Sequence, residues 1–447
     1  MGYSPANRLK LMNAPIERVI EPAASTQASR VTHRRWYALI VLTLVYAFNI
    51  ADRYVISTLI EPIKADLRLS DTAIGFLTGT ALAIFYTGMG IPLGVIADRV
   101  DRRKLIALSL AIWSAMTSLC GAAANFTQLM LARIGVGTGE AGGTPASQSL
   151  LADLFPFANR VLATSVFTLG AAAGSMLGSV AGGRVADAYG WRMAFVALGL
   201  PGLLLALLVR ATLAEPPRTA TSAAAEKPPS FLEALRFIGT QRALIHVMAG
   251  ATVITYWGWG LLWWTPAFLS RSHGLSTGDA GARLGTITGL AGALGVVLGG
   301  LIIHRLGRHD ARWQVWIVAI ATLLGTGASM VAYATPSLGL ATLMLWVFVP
   351  VAYLNLAPLL SLTQSLVPPR MRGLSCAILL FGANVANLAL APQLIGFMSD
   401  SLRSEAGNES LRWALVINSV TGLWAAYHFV AAGRWIRHDL RRAGVTI

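Results

Sequence analysis

Charge is what this chain has least of. Only 12% of its 447 residues are Asp, Glu, Lys or Arg while 55% are hydrophobic, and soluble domains carry roughly twice that charged share. A mean hydropathy of +0.61 points the same way, and excludes an ordinary water-soluble globular protein. Cysteine is also scarce: Cys120 and Cys376 both fall inside apolar runs, so no disulfide framework is expected. There is no cluster of His, Cys and carboxylates at metal-ligand spacing, no nucleophile elbow, no phosphate-cradling loop and no sizeable soluble domain. Those absences argue against an enzyme, and no metal or cofactor is expected. Acidic residues number 20 against 35 Lys and Arg, a formal charge of +15. The basic residues stand between apolar runs rather than in an aromatic-interleaved module, so the expected partner is a lipid bilayer and not nucleic acid.

What the chain does have is apolar runs near 20 residues, each long enough to cross about 30 Å of hydrocarbon. Twelve candidate spans are read, at 36–58, 73–97, 105–124, 127–150, 161–185, 193–210, 243–270, 284–303, 313–334, 337–364, 373–398 and 413–433. The fold class expected is therefore an all-α membrane protein of 12 transmembrane helices. The residues 211–242, with Glu215-Pro216-Pro217 and an Ala, Ser and Thr-rich middle, read as a flexible cytoplasmic linker. The linker divides the chain into a polar N-terminal segment, 1–35, a first six-helix bundle, 36–210, a second, 243–433, and a tail, 434–447. With the N-terminus in the cytoplasm, 25 of the 35 Lys and Arg fall on that side. The positive-inside rule then places both termini there.

The halves repeat one another. Gly94-Val-Ile-Ala-Asp98-Arg99-Val-Asp101-Arg102-Arg103 stands between spans two and three, and Gly300-Leu-Ile-Ile-His304-Arg305-Leu-Gly307-Arg308 between spans eight and nine. Parallel duplicated units with a substrate site at the bilayer midplane between them are a transporter architecture. Glycines at 135, 137, 139, 142 and 143, and at 170, 174, 178 and 182, recur at spacings that let helices approach closely. Pro145 is expected to bend span four.

Four formally charged side chains stand well inside the apolar boundaries: Asp52, Arg53, Arg133 and Glu140. Facing lipid, each would cost about 2.5–3.5 kcal/mol or more, so they are expected to face an internal cavity and one another. At 1.5 Å per residue Asp52 and Arg133 lie at similar depth, roughly 9 and 10 Å from the outer surface, and can meet. Glu140 lies about two turns deeper on the same helix face, with no assured partner. Asp52 and Glu140 are candidate protonation sites, with Arg53 and Arg133 as counter-charges or anion-binding groups. Span seven carries five large aromatics: Trp263 and Trp264 read as interfacial anchors, whereas Tyr256 and Trp259 are candidates for lining the cavity. Asn355, Asn384 and Asn387 are uncharged candidates for the second-half wall. His246 and His428 are read either as partners of a neighbouring helix or as a proton relay.

The Gly94–Lys104 segment, Leu129-xxx-Arg133-xxx-Gly137-x-Gly139-Glu140-Ala141 and Gly174-xxx-Gly178-Ser-Val-Ala-Gly182-Gly183 resemble signatures of the major facilitator superfamily, with Asp101 and Ser179 departing from them. Asp52-Arg53 together with Gly137-Thr-Gly139-Glu140-Ala141 is most similar to the Spinster-type lipid transporters. The resemblance implies a secondary active transporter, two six-helix bundles rocking by alternating access, and an amphiphilic substrate of lysophospholipid or sphingoid type. A small organic anion or a hydrophobic drug stays open as substrate. It also implies that Asp98, with Arg99, Arg102 and Arg103, latches the bundles together when the cavity faces outward. The expected energy source is a proton gradient, with no cofactor. The expected state is a monomer, and the Arg-over-Lys and Ala/Gly bias is associated with a bacterial inner membrane.

Overall fold

The computed structural model describes residues 22–97, 100–216, 230–307 and 309–442, and the described residues are helical with no strand among them. Each expected span falls on helix. The first half runs Pro22–Thr58, then Asp71–Gly75 through a π-helical turn Phe76–Thr80 into Ala81–Ala97, then Arg102–Cys120, Phe126–Leu154, Phe157–Tyr189 and Trp191–Thr212. The second half runs Arg242–His273, Thr277–Gly307 and Trp313–Ala334. It continues as Leu338–Leu354 broken at Asn355 into Leu356–Ser365, then Arg372–Asn384 through a second π-helical turn Val385–Leu390 into Ala391–Ser401, and ends with Ser410–Ser419 and Thr421–Arg442.

Eleven described stretches are long and apolar enough to cross a membrane. Phe126–Leu154 is the expected span outside that set, although its 29 residues are ample; Arg133, Glu140 and its Gly, Ser and Thr residues dilute its hydropathy. It also runs as one continuous helix through Pro145. Neighbouring helices supply the packing around it: Arg102–Cys120 lies along it, with Gly139 against the Trp113 backbone.

Small residues set the closest approaches. Pro22–Thr58 packs along Phe157–Tyr189, where a Cβ at Gly174 or Gly178 would collide with the carbonyl oxygens of Ala47 and Ala51. Phe157–Tyr189 in turn packs along Thr277–Gly307, and this pair joins the halves.

The region expected to be a flexible linker is partly structured. Ser230 caps a helix Phe231–Thr240 by accepting the Glu233 N–H at 3.1 Å, Ala234 and Ile238 are buried, and Glu233 pairs with Arg370 at 2.7 Å. Phe231, Leu232 and Leu235 stay exposed, the pattern of a helix lying in a membrane interface. Asp101 is the N-cap of Arg102–Cys120, accepting the Lys104 N–H at 3.1 Å. The terminal face is the one where Pro22–Thr58 begins, and the distal face the one where it ends.

Candidate functional site

Asp52 and Arg53 are consecutive on a helix, about 100° apart around its axis, so they point to different neighbours. Asp52 points to Arg102–Cys120, where the Thr117 hydroxyl donates to its Oδ2 at 2.7 Å. Arg53 points to Phe126–Leu154 and pairs with Glu140, Nε to Oε2 at 2.9 Å and a terminal guanidinium nitrogen at 2.7 Å. Its guanidinium carbon also stands 4.7 Å from the Tyr86 ring centroid, a cation–π contact. Glu140 is 0% exposed and Arg53 15%, so Arg53 is the member of the pair that reaches the solvent-accessible side.

Arg133 is fully buried, and none of its three guanidinium nitrogens has a hydrogen-bond partner among the described residues. Its charge acts on Asp52 and Cys120 without a hydrogen bond to either. The pairing expected from depth is thus not the one observed. Asp52 and Arg133 share a depth but are not hydrogen-bonded, while Glu140, expected without an assured partner, holds Arg53. Glu140 Oε1 also lacks a partner. The group therefore holds a buried cation without a hydrogen bond beside two acids, each of which has one.

Immediately distal to this group the halves close. The Tyr54 and Tyr353 hydroxyls are 3.0 Å apart, and the Ser57 hydroxyl donates to the Trp263 carbonyl at 2.6 Å. The two π-helical turns meet here, the Thr80 hydroxyl donating to the Ala389 carbonyl at 2.9 Å; π-turns recur at functional positions. Above them stands an ion cluster that the sequence reading did not single out. Asp71, 1% exposed, is held by Lys64 of its own half and by both terminal nitrogens of Arg271 from the other. Ser399 donates to the same carboxylate at 2.7 Å, and Glu61 takes Arg271 Nε at 2.7 Å. Asp400, across the seam, accepts the Asp71 and Thr72 N–H groups at 3.1 and 2.7 Å and so caps a helix of the opposite half. The hydrogen bonds and ion pairs joining the halves cluster on this distal side.

The terminal-face latch residues are placed differently. Asp98 and Arg99 lie outside the described residues. Arg102 is buried and bonds within its own half, to Asp153 at 2.6 Å and Glu215 at 2.7 Å; Arg103 reaches Asp101 at 3.0 Å and the Leu213 carbonyl at 3.3 Å. None of these four contacts is to the second bundle.

Among the aromatics, Trp259 stacks at a tilt on Tyr353 with centroids 4.8 Å apart, which puts it at the closed floor. Tyr256 instead turns its hydroxyl to Asn418, donating at 2.6 Å to a helix of its own half. Trp263 and Trp264 are not interfacial anchors: they are 6% and 0% exposed, and Trp264 Nε1 donates to the Pro392 carbonyl at 3.2 Å. The Trp263 ring meets Tyr54 across the seam, centroids 6.2 Å apart, and the Trp264 ring is buried against Pro392 of its own half. Asn355 bonds its own chain at the helix break, to the Ala352 carbonyl at 3.0 Å. Asn384 and Asn387, half-buried, flank and enter the second π-turn. His246 and His428 come together, Nδ1 to Nδ1 at 2.9 Å, between the second half's first and last helices.

A family model described as Major Facilitator Superfamily matches residues 42–391. The chain belongs to the Major Facilitator Superfamily. An MFS-type efflux pump of Mycolicibacterium smegmatis is 35% identical, the match covering 92% of this chain and 95% of that one. Protein spinster homolog 3 of Danio rerio is 27% identical, covering 94% of this chain and 89% of its own. A crystal structure of a bacterial homologue of the human lysosomal transporter Spinster, inward-facing and unoccupied, superposes with a TM-score of 0.82 at 30% identity, covering 91% of this chain and 98% of that one. This member of the superfamily is therefore a Spinster-like, multi-pass membrane transporter and not an enzyme. Its arrangement, joined distally, is similar to that inward-facing structure.

Proposed function

We propose that the protein is a proton-coupled secondary active transporter that moves an amphiphile of lysophospholipid or sphingoid type by alternating access. The observation that carries this reading is the Arg53–Glu140 pair, one partner wholly buried and the other reaching the accessible side. Protonation of Glu140 removes the charge that holds Arg53. The freed guanidinium, stacked on Tyr86, then has its fork available for a phosphate. Arg133, with three unpartnered nitrogens, serves Asp52 or the substrate anion in the same way.

A proton and an anionic headgroup thus compete for the same arginine, which couples their binding. As the distal cluster around Asp71 breaks, the terminal face closes, and Asp98, Arg99, Arg102 and Arg103 take up the inter-bundle latch there. Tyr86, Trp259 and Tyr353 offer apolar and aromatic surface to the tail. The positive-inside arrangement puts the terminal face in the cytoplasm, in a bacterial inner membrane, and one chain suffices as the working unit.

The efflux-pump relative favours a second reading, a hydrophobic drug as cargo. Purified protein in liposomes, given labelled lysophospholipid and challenged with a lipophilic cationic drug or a small organic anion, separates the two. Lysophospholipid movement sensitive to Arg53→Gln supports the lipid reading. Drug movement indifferent to Arg53→Gln, with no lipid movement, overturns it.

A further inference from the structure

We propose that the terminal end of the second bundle carries a site for an acidic phospholipid of the adjoining leaflet, separate from the transport pathway. A surface cavity of about 530 Å³ is lined by Arg312, Arg434, Arg437, His438, Arg441 and Arg442. Five of the six come from one helix, Thr421–Arg442, at i, i+3, i+4, i+7 and i+8, which places them along one side of it. Arg312 approaches from the start of Trp313–Ala334.

The carboxylates nearby do not neutralise this cluster. Asp310 takes Arg437 at 2.7 Å. Asp439 is turned inward, accepting the Ala243 N–H at 2.7 Å and meeting His438 Nδ1 at 2.9 Å. Arg442 has only the Thr240 carbonyl at 3.4 Å, and Arg434 and Arg441 have no carboxylate partner among the described residues. Arg312 Nε is buried with no partner, its guanidinium 5.7 Å from the Trp316 ring. Five guanidinium groups in one cavity are a phosphate-binding chemistry.

Two observations choose a lipid over a soluble anion. Trp316 lies 5.7 Å from the Arg312 guanidinium with Trp313 edge-on to it, and Trp435, next in the chain to Arg434, stands 4.4 Å from the Arg242 guanidinium, a clustering of tryptophan with cations that suits headgroup depth. Stepping back from Arg434 along the same helix face come Val430, Tyr427 and Trp424, exposed by 40%, 62% and 58%. That apolar stripe leads from the arginines into the hydrocarbon and gives an acyl chain a track that a free phosphate would not use.

The test uses the full-length protein and native mass spectrometry with phosphatidylglycerol and phosphatidylcholine in equal amounts. Wild type should retain phosphatidylglycerol preferentially. Arg434→Gln/Arg441→Gln, which removes two exposed side chains, should lose that preference by at least about tenfold, while Arg236→Gln on the linker helix should keep it. Glycerol 3-phosphate should not displace the lipid at equal concentration. An undiminished preference in the double variant overturns the proposal, and so does displacement by glycerol 3-phosphate, which would make the cavity a soluble-anion site.

Discussion

Removing one member of the Arg53–Glu140 pair should be unequal in cost, and the inequality follows from burial. Glu140 is 0% exposed and Arg53 is 15%. Arg53→Met leaves a carboxylate in an apolar site with its partner gone, and losing one partner of a buried pair costs about 3–5 kcal/mol. Glu140→Gln keeps the shape and leaves Arg53 able to turn toward water and the Tyr86 ring, so its cost should be nearer 1 kcal/mol, about that of an ordinary hydrogen bond. The double variant Arg53→Met/Glu140→Gln removes both charges and should recover most of the Arg53→Met loss, giving a coupling of roughly 2 kcal/mol or more in a double-mutant cycle. Reversible unfolding of the purified protein in detergent measures all four corners. Equal losses for the two single variants, adding in the double, would refute the pairing and its burial.

Two more outcomes follow, one from the seam between the halves and one from the packing inside the first bundle. Asp71→Asn should weaken the distal closure, since it leaves Arg271 and Lys64 without the buried carboxylate that joins them. A cysteine at Ser57, beneath that cluster, should react at least about tenfold faster with an impermeant thiol reagent in the Asp71→Asn background, the change that about 1.4 kcal/mol of population shift gives; unchanged labelling would contradict the cluster's gating role. Gly174→Val should destabilise the first bundle by about 1–3 kcal/mol through overpacking against the Ala47 carbonyl, whereas Gly239→Ala, where a Cβ meets nothing within 4 Å, should be tolerated; thermal unfolding of the two variants side by side makes the comparison.

Burial of charge was legible in the sequence because depth follows from counting residues along a helix. Asp52, Arg53, Arg133 and Glu140 were found that way, and the structure does place them in the interior of the first bundle. Their pairing was not legible. Counting fixes height but not which way a helix is rotated against its neighbours, and rotation decides that Arg53, not Asp52, faces Phe126–Leu154. The Asp71, Arg271 and Asp400 cluster escaped notice for another reason: these residues stand at span ends, where charge is cheap and carries no alarm. The π-turns at Phe76–Thr80 and Val385–Leu390 leave no pattern in composition or periodicity. By contrast, the helix Phe231–Thr240 did announce itself, since Ser230 followed three residues later by Glu233 is a capping box. The Glu215-Pro216-Pro217 run upstream drew the whole stretch into a single linker. The buried Trp263 and Trp264 show the limit of a rule about residue type: tryptophan near a span end reads as an anchor until neighbouring helices, of the other bundle for Trp263 and of its own for Trp264, close over it.

The central claim is that Glu140 carries the coupling proton, and flux under an imposed pH gradient tests it most directly. If one proton moves with each substrate, a gradient of one pH unit supplies about 1.4 kcal/mol and should sustain up to about a tenfold ratio of labelled lysophospholipid across a proteoliposome membrane, with no electrical potential imposed. Wild type should show a gradient-dependent ratio, and Glu140→Gln should move the lipid only down its own gradient. Gradient-driven accumulation that survives in Glu140→Gln would contradict the account.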